Sequence, residues 1–326
     1  MLLYTIKRIV LIVPVVLVVT ILIFTLMNFV RGDPATLMAG GEVVTQEQLD
    51  ILREKMGLNK PFFERLGLYL YNIVIHGDFG ASYNDGTPIG PELLARLWTT
   101  LRVAILSLAL MIIIGVPLGI RAAVRVNTVE DRFSMVLTMI GNSMPIFWLT
   151  LLLVLLFSLR LRWLPSYGSD TWKHFILPPI CVALEGMGSI ARQTRSSMLE
   201  VIRSDYITTA WSKGLPERKI IYQHALPNAL IPIITVIGSQ FGRLIGGVVV
   251  VERVLNIRGI STYLLNGIFK RDYPVVTGCL IVIATMFSII MLVVDLFYTS
   301  LDPHIKAQYV IRKESAMNAA AAAAEI

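Results

Sequence analysis

Residues that commonly carry chemistry are thinly spread through this 326-residue chain. The four histidines, His76, His174, His224 and His304, lie 98, 50 and 80 positions apart. With no His-Glu-x-x-His and no Cys-x-x-Cys, the spacing gives no dedicated metal site. The chain has no Gly-x-x-x-x-Gly-Lys-Ser/Thr loop, so it cannot hydrolyse ATP on a phosphate cradle of that kind. Cys181 and Cys279 both fall within apolar runs and read as small apolar fillers, not as a disulfide. What stands out is three charges set in otherwise uncharged apolar stretches: Glu185, Arg243 and Asp295. A charge at mid-bilayer costs at least about 2.5 kcal/mol, so such residues find partners or line a polar path.

The elements that must position these charges follow from composition. Hydrophobic residues make up 55% of the chain and charged residues only 16%, against about 25% charged in an ordinary soluble domain. That argues against a soluble enzyme, a disordered chain and a disulfide-stapled fold. Six apolar spans are expected, at Ile9–Val30, Val103–Ile120, Phe133–Leu159, Phe175–Ala191, Ala225–Val251 and Tyr273–Leu301. Together they hold only the three charges named above, out of 51 in the chain. The expected fold is an all-α membrane protein of six transmembrane helices, with a large loop after the first. The first span is too long for the apolar region of a signal peptide and has no small-x-small cleavage site, so it is expected to anchor.

Charge also suggests an orientation. With Lys7 and Arg8 inside, 14 Lys and Arg fall on each side of the bilayer. Seven of the outer ones lie in the long loop Arg31 to Arg102, and long loops count little. Both termini are therefore expected in the cytoplasm, where the basic loops face anionic lipid; the net charge of +7 is not read as nucleic-acid binding.

The chain then divides into a cytoplasmic start at 1–8, the first span at 9–30, an outer loop at 31–102, a core at 103–306 and a tail at 307–326, which holds an alanine run of no assigned function. In the outer loop, Thr45 and Gln48 form a capping box ahead of an amphipathic stretch that Gly57 closes. Pro61 opens a second helix, expected over Phe62–His76. Gly238, Gly242 and Gly246 in the fifth span place small residues at four-residue spacing, a pattern that lets helices approach closely. Trp98, Trp163 and Trp172 flank spans, as interfacial aromatics do. The segment Ile260–Phe269 is expected to be an amphipathic helix on the outer face.

The most informative stretch is Arg192–His224, too polar for the membrane and bracketed by two spans. Gly214-Leu215-Pro216 forces a turn in its middle, since Gly accepts positive φ and Pro suits the start of a helix. Helix, sharp bend and short helix make a shape suited to docking on another protein.

This segment resembles the EAA loop of ABC-importer permeases. Thr208-Thr209-Ala210 is followed by Gly214, nine residues, and His224-Ala225-Leu226-Pro227. Thr208 stands where that family usually has an acid and His224 where it has an apolar residue. The chain is more closely similar to the dipeptide/oligopeptide permease family, and within it to the first permease subunit type. That similarity rests on Ser196–Val201, Asp205-Tyr206-Ile207, Lys213-Gly214-Leu215, His224–Pro232, Gly32-Asp33-Pro34, Gly77–Gly80, Ile114–Gly119, Met144–Trp148, Arg271–Val276 and Asp295–Tyr298.

The resemblance implies a multi-subunit, ATP-driven importer in a bacterial or archaeal cytoplasmic membrane. This chain would be a non-catalytic subunit beside a homologous second permease, two cytoplasmic ABC ATPases that bind ATP and Mg, and an extracytoplasmic substrate-binding protein. It implies that Thr208, Thr209, Ala210, Lys213, Gly214, Leu215, His224, Leu226 and Pro227 couple the chain to the ATPases. Ser143, Pro145, Trp148, Glu185, Gly242, Arg243 and Gly246 are the candidates for lining the pathway. Importers of this type also move nickel chelates, glutathione or oligosaccharides, and a self-sufficient secondary carrier is a rival of another class. Glu185 and Arg243 sit at depths differing by only about 3 Å, so an ion pair between adjacent helices stands beside pathway lining and a partner in the second permease. For Trp148 and Pro145, a packed tryptophan beside a proline kink stands beside pathway lining.

Overall fold

The computed structural model describes residues 2–29, 35–36 and 45–301. Gly32-Asp33-Pro34, the alanine-rich tail and the Asp295 side chain lie outside what is described. The described residues form helices: α1 (Leu2–Phe29), α2 (Gln46–Lys55), α3 (Phe62–Tyr71), α4 (Ile89–Val124), α5 (Val129–Ser143), α6 (Ile146–Leu153), α7 (Leu177–Ile202), α8 (Asp205–Ser212), α9 (Glu217–Lys219), α10 (Leu226–Val254), α11 (Ile260–Phe269) and α12 (Tyr273–Leu301). Among the described residues, five helices are long and apolar enough to cross a membrane. The expected third crossing is instead covered by shorter helices.

Several boundaries differ from expectation. The third span is not one helix: α5 stops at Ser143 and α6 starts after Pro145, which has no N–H to continue the ladder. A wide π-type turn, Val154–Arg160, finishes the crossing. The second span extends to 36 residues because α4 begins at Ile89, inside the expected outer loop. Its first turns are amphipathic, with Arg96 paired to Glu92 at 2.7 Å. The sixth span coincides with α12. The capping box at Thr45 and Gln48 is present, and Gly57 follows at φ 66°. The helix opened by Pro61 runs as α3 and a π-type turn to His76.

The chain forms two compact units. One comprises Met1–Ser107, Met144–Ala183 and Leu244–Ile289. Its core joins Ile89 and Leu93 of α4 to Ile260 of α11 and Val275 and Cys279 of α12. At the end of α1, Phe24 meets the Phe62 and Tyr69 rings of α3, and Arg65 donates to Asn28 at 3.1 Å. Two buried carboxylates staple loops here. Asp272 accepts from Ser82 Oγ, Asn84 Nδ2 and the Tyr83 N–H, and Glu252 sits at the start of α11.

The second unit comprises Leu108–Ser143, Leu184–Arg243 and Ile290–Ile326. Its helices cross where glycine removes the side chain. A Cβ on Gly119 of α4 would lie 2.5 Å from the Ala191 carbonyl oxygen of α7, and one on Gly188 of α7 would lie 2.6 Å from the Thr138 carbonyl oxygen of α5. Of the expected Gly238/Gly242/Gly246 stripe, Gly246 makes no such approach. Gly238 is buried but Gly246 is exposed, with open space around it. Both cysteines are buried and free.

Candidate coupling site

The polar stretch between α7 and α10 folds as a two-sided lever. α8 begins at Asp205, where a carboxylate meets the positive end of the helix. Ile207 and Ala210, three apart, face inward. They join Ile220, Ile221, Ala225, Ala229 and Ile233 in one apolar core with Ile120 and Ala123 of α4 and Met198 of α7. Leu215 and Leu226 pack on its rim.

The other side is bare. Tyr206, Thr208, Thr209, Trp211 and Lys213 are all exposed. The Thr209 hydroxyl donates to the Asp205 carbonyl and that of Ser212 to the Thr208 carbonyl, each at 3.0 Å. The hydroxyl protons are thus used within the helix.

Gly214 ends α8 in the left-handed region at φ 71°, its N–H donating to the Trp211 carbonyl at 2.9 Å. A side chain there would be strained in a way glycine is not. Pro216 precedes the single turn of α9, and a π-type turn, Ile220–Ala225, carries the chain into α10. Pro227 is exposed in the first turn of α10, where its missing N–H costs nothing. His224 is half-buried; its carbonyl accepts from Asn228 at 2.8 Å and its Nε2 is buried without a hydrogen bond. A cavity of about 390 Å³ beside the π-type turn is lined by Arg121, Arg125, Glu130, Tyr222 and neighbouring apolar side chains.

A bidentate ion pair braces this unit. Arg195 of α7 holds Asp131 of α5 at 2.8 and 2.9 Å, and the Asn127 N–H donates to the same carboxylate at 3.0 Å. These bonds hold the Asp131 carboxyl below the usual carboxylate range, Arg195 contributing most. In sequence Arg195 is only one cation of the polar stretch Arg192–His224; the fold brings it to Asp131, 64 residues away.

Ser143 and Pro145 are exposed at the break between α5 and α6. Trp148 is 45% exposed, so it is not packed into the core of this chain. Gly242 is half-buried and Gly246 exposed. Glu185 and Arg243 are both exposed, and among the described residues neither forms an ion pair. Glu185 and Arg243 do not meet in a direct salt bridge, although each lies close enough to act on the other's charge.

Residues 115–307 match the family described as binding-protein-dependent transport system inner membrane component, and residues 1–104 match its N-terminal counterpart. The chain belongs to this family. It is the permease subunit of an ABC importer. The permease is 40% identical to the dipeptide transport system permease protein DppB of Alkalihalophilus pseudofirmus, covering 94% of this chain and all of that one. It is 39% identical to the glutathione transport system permease protein GsiC of Escherichia coli K12, covering 94% of this chain and 99% of the relative. The inward-facing methionine transporter MetNI shares the fold, with a TM-score of 0.55 at 18% identity over 64% of this permease and 96% of that chain.

Proposed function

We propose that this permease forms half of the translocation pathway of an importer for di- and oligopeptides. A second, homologous permease would form the other half, beside two cytoplasmic ATPases and an extracytoplasmic binding protein. With both termini in the cytoplasm, α8 and its Gly214 bend would face the ATPases. The observation that carries this reading is the two-sided lever: Ile207 and Ala210 are sunk in the same core as α4 and α10, while Thr208, Thr209 and Trp211 stand bare. A push on the exposed side is passed to whole spans through packed side chains.

ATP and Mg belong to the partner subunits, and this chain supplies only the mechanical link. Ligand binding alone cannot drive net uptake, because a pathway open to one side at a time needs an energy source to bias its two states. Closure of the ATPases on ATP supplies that bias.

Peptide cargo is supported by relatives named for a dipeptide and for glutathione, itself a tripeptide. Glu185 and Arg243 add a chemical argument. Exposed charges within spans need a polar surface to face. One acid and one base suit cargo that carries an ammonium at one end and a carboxylate at the other. The test is reconstitution of the four membrane-associated subunits in proteoliposomes with the binding protein. A labelled dipeptide is expected to enter only with ATP and both ATPases; uptake by the permeases alone would refute the reading.

A further inference from the structure

Glu252 is the least expected residue in the fold. It lies near the C-terminal end of α10, is 0% exposed, and among the described residues forms no ion pair. Arg96 of α4 is engaged with Glu92 and the Tyr263 ring, and Arg253 of α10 with Asn266 and the Phe269 ring. Its carboxylate instead meets three dipoles from two other helices. The Thr100 hydroxyl of α4 donates to Oε1 at 2.5 Å, and the backbone N–H groups of Ser261 and Thr262 donate to Oε2 at 3.2 and 3.3 Å. The Ile260 N–H completes the set by donating to Thr100 Oγ1 at 2.9 Å.

A helix is ordinarily capped by the side chain of the residue just before its first turn. In α11 that position is Gly259, which offers no cap, and a Cβ there would run into the Glu252 carboxylate. The cap is therefore tertiary, and burying an uncompensated carboxylate costs more than a local serine would. What the arrangement adds is a bond among three helices at one atom group. α4 and α10, the two helices clamped to α11, are also those whose Ile120, Ala123, Ala229 and Ile233 lie in the core under the coupling bend.

We propose that Glu252 is a positioning residue of the transport cycle. It fastens the first turn of α11 to α4 and α10, so that the outer face presented by α11 follows the motion those helices receive from the ATPases. This rests on the importer reading above, with α11 on the side that meets the binding protein.

The test measures ATPase activity of the assembled permease–ATPase complex in nanodiscs, with and without binding protein. Glu252→Ala is expected to cut stimulation by the binding protein about tenfold, a coupling loss of ordinary size, while basal hydrolysis per assembled complex stays within about twofold. Glu252→Gln keeps an acceptor for the amides and a partner for Thr100, and is expected to restore most of the stimulation. Full stimulation in Glu252→Ala, or no rescue by Glu252→Gln, would overturn the proposal. Should Glu252→Ala fail to assemble, Thr100→Val decides: reduced stimulation at unchanged basal activity supports the clamp, and unchanged stimulation refutes it. A wild-type chain that recruits no ATPase fails the importer reading instead, which separates the two.

Discussion

Asp131 and Glu252 are two carboxylates whose surroundings push them in opposite directions. Asp131 is held low by Arg195, so its contribution to stability is present above the unfolded value near 4 and lost as pH falls through its lower folded value. Asp131→Asn is expected to lower the melting temperature at neutral pH, by the equivalent of about 1–3 kcal/mol for a lost charged hydrogen-bond pair. In thermal melts, the gap to wild type should close as pH falls towards 3. Burial raises Glu252 to about 7, outweighing its hydrogen bonds. Its contribution is therefore present below about 4.5 and lost as pH rises through about 7. Wild type should lose about 1 kcal/mol between pH 6 and pH 8, and Glu252→Gln should not. Neither residue was legible in sequence as more than a charge beside a span, because Arg195 and Thr100 become their neighbours only when helices distant in sequence cross. Gly214, Pro216 and the Thr45 cap were legible, because their chemistry acts within a few residues.

At the scale of elements, the apolar runs marked where α1, α7, α10 and α12 would form, since membrane length and desolvation set those lengths. Hydropathy averaged over the break at Pro145, where Asn142 and Ser143 are too few to end an apolar run and a backbone N–H is missing. It also began the second span late, because the first turns of α4 bury one face while Glu92 and Arg96 pair on another. Spacing alone does not tell which small residues meet a neighbour: Gly119 and Gly188 lie against a crossing helix, whereas Gly246 of the fifth-span stripe faces open space. Gly119→Val is accordingly expected to prevent stable folding, read as loss of a monodisperse peak in detergent, whereas Gly246→Ala should leave that peak intact. Gly214→Val should fold, at a cost of about 1–2 kcal/mol for a left-handed residue, and should uncouple. Peptide uptake is expected to fall more than ATP hydrolysis does.

For the whole molecule, the central claim is that force enters through the bare side of α8 and reaches the spans through the buried side. The two native cysteines are buried, which leaves the surface free for a single reporter thiol. With Thr209→Cys as that reporter, a short bifunctional reagent should join the permease to an ATPase subunit in intact membranes, with a yield that changes when ATP is trapped. An assembled, transporting complex in which Thr209→Cys reacts freely with a water-soluble maleimide and never cross-links would contradict it.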